Sequence, residues 1–362
     1  MDGAVAEGPR GTHKERVMSR PLRTGMLGCG GIASRHAQVL AGLPDIRLVA
    51  FCDQEPSRAQ EFSRKYAGGQ AACYDDYHQM LDSSGLDLLY ICLPPFAHGN
   101  EVADAARRGI HVFIEKPIAL ESSHAWQMVA AAEAAGIKSQ VGFMYRFGEA
   151  VEALKGAMTG GTAGPAALLV ATYYCNALHA PWWREKSKSG GQVVEQIIHL
   201  FDLARYLLGE PRTVYARQDN LFHRDVPSYT VEDVSCTTIT FASGALASIS
   251  ATNNAIPGRW LARFDVVTRN LTAFFSDINH AALVQTDRPE NPEVTINSDR
   301  DVFREEALDL IRAIREDRPT RTPLREGALS LDLVLAAQHS AEEGREIVLS
   351  GLAGRASQAT AQ

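Results

Sequence analysis

From Leu22 onward, short apolar runs alternate with stretches of helical texture. LRTGMLG precedes IASRHAQVLAGL, IRLVAFCD precedes EPSRAQEFSRKY, DLLYICLP precedes FAHGNEVADAARRG, and HVFIEKP precedes SSHAWQMVAAAEAAG. Strand then helix, repeated, predicts parallel strands joined by crossover helices. LLYICL and HVFI are continuously apolar instead of alternating, the pattern of strands buried on both faces. An α/β fold with a doubly wound parallel sheet is expected over residues 21–146.

After Arg146 the texture changes. EAVEALKGAMTG reads as a helix and AALLVATYYCNAL as a strand, followed by a loop rich in Trp and Lys and then by the apolar helix within GGQVVEQIIHLFDL. TVYARQDN, VSCTTITFA, GALASISATNN, WLARFDVVTR and LTAFFSD are β-rich runs separated by turn residues. Two helical stretches, about 301–316 and 324–349, end this part. An α+β domain with a largely antiparallel open sheet is therefore expected over residues 147–349. Residues 1–20 carry charge but no apolar segment and read as a disordered leader with Met18 as an alternative start; the small-residue run 350–362 reads as a loose tail.

Composition narrows the class. At 362 residues two domains are the default, and 45% hydrophobic with 22% charged residues is ordinary globular usage. A net charge of -7 and a pI near 5.9 exclude broad electrostatic capture of nucleic acid or an anionic membrane. No apolar run approaches the roughly 18 residues that span a bilayer. The six cysteines show no CxxC pair or metal spacing, so no metal site is expected and reduced thiols point to the cytoplasm.

The candidate chemistry begins at Gly28-Cys29-Gly30-Gly31-Ile32-Ala33, a GxGxxA loop between strand and helix. In such a loop the first glycine permits the tight turn, the second lets a pyrophosphate approach, and the small third residue allows close packing, while the helix N-terminus donates amides to phosphate. Asp53 ends the next strand, 20 residues beyond Ala33, where a carboxylate accepts from ribose hydroxyls. It repels a 2'-phosphate, which favours NAD, while nearby Arg58 leaves NADP open. Leu93 and Pro94 in the LPP turn, with His98, Glu115 and Lys116, are further candidates for the cofactor cleft. Glu115-Lys116-Pro117 puts a lysine at the mouth of a buried strand, where an ammonium can bind a hydroxyl, polarise a carbonyl or exchange a proton.

On a helix of about 100° per residue, Glu195, His199 near 40° and Asp202 near -20° share one narrow face of an otherwise apolar segment. A helix so apolar is expected to be buried, with that stripe facing a cleft.

Together, GCGGIA, FCD, the LPP turn, EKP, VGFMYRF and GGQVVEQIIHLFDLARYLLGEP resemble the glucose-fructose oxidoreductase, inositol dehydrogenase and MocA family from about Leu22 to Leu349. The resemblance implies a Rossmann domain for NAD or NADP and a C-terminal domain whose open sheet makes a homo-oligomer, a dimer or tetramer. It also implies a sugar, cyclitol or related polyol as substrate. The family's lysine falls on Lys116, its acid on Glu195, its histidine on His199 and its following aspartate on Asp202. Two positions depart from the common pattern, which has aspartate at 195 and glycine at 198. The longer Glu195 and the bulkier Ile198 alter the substrate geometry.

His199 is expected to exchange the hydroxyl proton, directly or through Lys116, with Glu195 orienting the substrate and Asp202 holding the imidazole. Trp183 and Arg184, in a loop with Trp182, Lys186 and Lys188, are candidates to contact a sugar face or an acidic group. Tyr145 and Arg146 are candidates for the same cleft, with a structural ion pair the other reading of Arg146. Three functions fit: an NAD(P)-dependent dehydrogenase of a polyol, a redox-neutral sugar-modifying enzyme that uses its cofactor transiently, and a nucleotide or metabolite sensor without turnover.

Overall fold

The computed structural model describes residues 20–176 and 180–349. The expected leader (all but Arg20) and the expected tail lie outside the described residues. The first part alternates as its apolar runs predict: β1 (Leu22–Leu27), α1 (Gly31–Ala41), β2 (Ile46–Cys52), α2 (Pro56–Ala67), β3 (Ala72–Tyr74), α3 (Tyr77–Ser83), β4 (Leu88–Ile91), α4 (Glu101–Arg107), β5 (His111–Ile114), α5 (Ser122–Ala135) and β6 (Ser139–Val141). The six strands pair in parallel in the order β3-β2-β1-β4-β5-β6. That order reverses between β1 and β4, the switch point at which open α/β sheets bind nucleotides. All four residues of β4 are buried, as a strand covered on both faces requires.

The second part follows with α6 (Glu149–Thr159) and β7 (Ala166–Cys175). A turn holding Trp182 and Trp183 (Pro181–Arg184) leads through a short helical turn (Lys186–Ser189) and one π-helical turn (Val193–Ile197) into α7 (Ile198–Leu208). Then come β8 (Pro211–Asp219), β9 (Val234–Phe241), β10 (Leu246–Thr252), β11 (Trp260–Thr268), β12 (Leu271–Asp277), β13 (His280–Gln285) and β14 (Glu293–Asn297). The chain finishes with α8 (Val302–Glu316), α9 (Leu324–Glu343) and β15 (Ile347–Val348). The nine strands form a sheet of order β14-β13-β12-β11-β7-β10-β9-β8-β15, antiparallel at every pairing except β7 with β10.

Two features depart from the sequence reading. The last helix stops at Gly344, and Ile347–Val348 pairs with β8 instead of continuing it. The helix α8, expected with the second sheet, returns to the first one: Ala307, Leu310, Ile311 and Ile314 share a core with Leu22, Met26, Phe51 and Tyr90. A linear reading of apolar periodicity marks the buried face of α8 but carries no information about which sheet covers it. α9 spans both parts, packing on α5 and β8, with the Trp126 indole donating to Asp332 Oδ2 at 2.9 Å.

No helix among the described residues is long and apolar enough to cross a membrane. The six cysteines are free, four of them buried.

Candidate active site

The loops after β1, β2 and β4 meet at the switch point. Gly28 has φ +87°, and a β-carbon there would meet the Cys92 carbonyl oxygen at 2.5 Å and Leu93 at 3.2 Å, so the loop after β1 lies tight against the loop after β4. Gly30 and Gly31 are different: a β-carbon on either meets nothing within 4 Å. This open backbone at the start of α1, with Ile32 40% exposed and Ala33 buried against the sheet, is a cradle that accepts a diphosphate. The Asp53 carboxylate closes its other side, accepting from Cys29 N at 2.8 Å and Glu55 N at 2.9 Å. These residues fit NAD. Arg58 is exposed in the first turn of α2, five residues past Asp53.

Lys116 stands two residues past the end of β5, and its peptide bond to Pro117 is cis. Its Nζ donates to the Glu195 carbonyl oxygen at 2.6 Å and to Glu195 Oε1 at 3.0 Å. The ammonium has three N–H donors, so one is left for another acceptor. The Trp183 indole donates to the second carboxylate oxygen, Glu195 Oε2, at 2.9 Å.

His199 is 7% exposed, with its ring stacked on Tyr145 at 4.8 Å and edge-on to Phe143 at 6.3 Å. Burial first, and then the charge of Lys116, holds its pKa well below the ordinary value near 6.5. His199 Nδ1 is buried without a hydrogen-bond partner.

Several expected site residues have other places. Asp202 does not hold the imidazole. It forms a bidentate pair with Arg146 at 2.7 and 2.8 Å and accepts from Ser330 at 3.0 Å, while Arg146 also reaches Glu326 at 2.6 Å. Asp202 lies three residues past His199 in the regular helix α7, about 60° round the axis, and the Arg146 guanidinium and the Ser330 hydroxyl claim its carboxylate. Arg146 is accordingly a buried ion-pair partner and not a cleft residue.

Glu115, expected at the cofactor, is turned into the core. It meets His36 Nε2 at 2.6 Å and accepts from Lys116 N at 3.1 Å, so it supports the lysine backbone. The ring of His98 is also enclosed, with Nδ1 at 2.6 Å from Glu101 Oε1. Tyr145 and Trp183, 6% and 2% exposed, stand behind His199 and Glu195 and not at an open surface. Arg184 is half-buried at the end of the tryptophan turn, and its carbonyl accepts from Thr230 N at 2.8 Å. Pro94 begins the turn in which Phe96 approaches Trp182, ring centroids 6.1 Å apart, joining the two sides of the cleft.

One supporting residue was not read from the sequence. Glu232 Oε1 accepts from Val193 N at 2.8 Å, anchoring the start of the π-helical turn. Gly191, with φ +100°, is required there, because a β-carbon would meet Glu232 Oε2 at 2.5 Å. An acid 37 residues past Glu195, in the loop just before β9, gives no local signal of this contact.

Comparison with known proteins decides the family. Residues 22–143 match the description "Oxidoreductase family, NAD-binding Rossmann fold", and residues 151–272 match "GFO/IDH/MocA C-terminal domain". The chain belongs to the Gfo/Idh/MocA oxidoreductase family. It is similar to the myo-inositol 2-dehydrogenase of Thermotoga maritima, 28% identical over 339 residues, 92% of this chain and 100% of the relative. It is also similar to the D-glucoside 3-dehydrogenase of Escherichia coli, 30% identical over 251 residues, 64% of this chain and 70% of the relative. A levoglucosan dehydrogenase in complex with NADH and L-sorbose shares the fold at a TM-score of 0.83 and 22% identity, covering 91% of this chain and 99% of that one. This Gfo/Idh/MocA member is an NAD-dependent oxidoreductase.

The environment of His199 yields a pH prediction. A folded-state pKa below the unfolded one means the imidazole is neutral in the folded protein and must charge on unfolding in acid, so its contribution to stability is lost as pH falls through the unfolded value near 6.5. The His199 ring resonance, assigned by its loss in His199→Asn among the 11 histidines, is expected to stay at the neutral position as pH falls through 6.5. Titration near 6.5 contradicts this environment.

Proposed function

We propose that this protein interconverts a secondary hydroxyl and a carbonyl on a cyclitol or sugar, with Lys116, Glu195 and His199 as the residues that touch the reacting polyol. The observation that carries the reading is the meeting of Lys116 with Glu195 beside a neutral, desolvated His199, at the carboxyl edge of a sheet whose first loop fits NAD. NAD, when bound, supplies the hydride acceptor for oxidation of the carbon.

The remaining N–H of Lys116 donates to the reacting hydroxyl oxygen and stabilises negative charge as the O–H bond breaks. His199, neutral in the resting protein, takes the hydroxyl proton directly or through Lys116. Glu195 accepts a hydrogen bond from a neighbouring hydroxyl, which suits a substrate with adjacent OH groups. The named activities of the inositol and glucoside relatives support the polyol class. Asp53, fixed by two backbone N–H groups, favours NAD over NADP because a carboxylate there repels a 2'-phosphate; Arg58 is the group through which NADP would be accommodated.

The outer face of the nine-stranded sheet supports a homo-oligomer, a dimer or tetramer. Leu168, Val170, Tyr174, Leu246 and Phe274 are exposed on paired strands and lie on one face. A contiguous apolar patch of this kind marks a contact surface. Light scattering is expected to give a whole multiple of 39.4 kDa, and the mass of one chain would overturn the assembly.

Purified protein incubated with NAD and a panel of inositols and methyl glucosides is expected to form NADH and a ketone in equal amounts. Ketone-free product without net NADH would instead indicate transient redox chemistry. His199→Ala is expected to lower kcat by roughly 100-fold or more, leaving the KM for NAD within about twofold. Unchanged turnover would remove His199 from the chemistry.

A further inference from the structure

The two indoles of the turn Pro181–Arg184 diverge. Trp182 approaches Phe96 at the rim, while Trp183 points inward and donates to Glu195 Oε2 at 2.9 Å. Because Lys116 holds Oε1 at 3.0 Å, the two carboxylate oxygens are gripped by different donors from opposite directions. A carboxylate has about four acceptor positions, so each oxygen keeps a free one and the carboxylate plane is fixed.

Trp183 is itself anchored. It packs in a small apolar cluster with Tyr229 and Val231, ring centroids 6.3 Å from Tyr229. Tyr229 bonds Asn253 and stacks on His223 at 4.7 Å. Asp233 fixes that loop, accepting from the backbone N–H of Leu221, Phe222 and His223. A glutamate side chain at the edge of a cleft would otherwise sample several rotamers, and ordering it at each turnover costs entropy. The pre-set donor removes that cost.

We propose that Trp183 is a positioning residue that holds Glu195 in the orientation from which it accepts the substrate hydroxyl. The proposal rests on the reading of Glu195 as a substrate-binding group. It accounts for the longer acid at this position: glutamate spans from the Lys116 ammonium to the buried indole, and aspartate would be one methylene short of it.

Trp183→Phe keeps an aromatic ring and removes the N–H with the rest of the pyrrole half of the indole. With NAD and either myo-inositol or methyl α-D-glucoside, kcat is expected to fall about tenfold while the KM for NAD stays unchanged. In a Glu195→Ala background the same substitution is expected to cost nothing further. Independently of any substrate, the Trp183 indole N–H signal, identified by its absence in Trp183→Phe, is expected to move in Glu195→Ala. If Trp183→Phe fails to fold, the Trp183 indole N–H, assigned in the wild-type protein through its proximity to Tyr229, is expected to move in Glu195→Asp as in Glu195→Ala, and an unmoved signal overturns the contact.

Unchanged kcat, an equal loss in both backgrounds, or an indole signal indifferent to Glu195→Ala would overturn the positioning role. If the wild-type protein oxidises neither polyol, the proposed function falls for these substrates, and the indole signal alone decides whether the clamp exists.

Discussion

The contact between Lys116 and Glu195 is the constraint on which the site depends. One partner comes from the end of β5 in the nucleotide-binding sheet and the other from the π-helical turn before α7, 79 residues later. Lys116 takes both the main-chain carbonyl and the carboxylate of Glu195, so a single amine fixes the backbone and the side chain together. Its charge also helps to keep His199 neutral. A rearrangement that parted the two elements would release all three groups at once.

The elements behind this contact are built to hold it. Glu115 and His36 brace the Lys116 backbone from within the first sheet, and Glu232 anchors the opposite element through Val193. Below them, Asp202, Arg146, Glu326, Arg205 and Ser330 form a buried charged network that ties α7 to α9. Removing one member of such a network leaves an uncompensated buried charge, which costs about 3–5 kcal/mol. Polar residues that look catalytic on a helical projection therefore have two distinct duties here. Glu195 and His199 lie beside Lys116, and Asp202 holds the helix in place.

Much of this was legible in the chain. The glycine loop, Asp53 and the alternating strand and helix texture identify a nucleotide-binding sheet because each needs only local spacing. Lys116, Glu195 and His199 are recognisable from their motifs. What was illegible depends on distant pairing or on irregular backbone. A helical projection puts Asp202 near His199 but cannot show that Arg146 claims its carboxylate. Arg146 and Asp202 are 56 residues apart, and no local pattern couples them. The edge strand β14 escaped because, largely exposed, it lacks a buried apolar face.

The central claim is that a polyol hydroxyl meets the Lys116 amine and the His199 imidazole in one place. A crystal structure of the protein with NAD and bound myo-inositol tests it most directly. The account predicts one hydroxyl oxygen within about 3.2 Å of both Lys116 Nζ and a His199 ring nitrogen, with Glu195 accepting from an adjacent hydroxyl. A polyol bound with no hydroxyl in reach of either residue would contradict it.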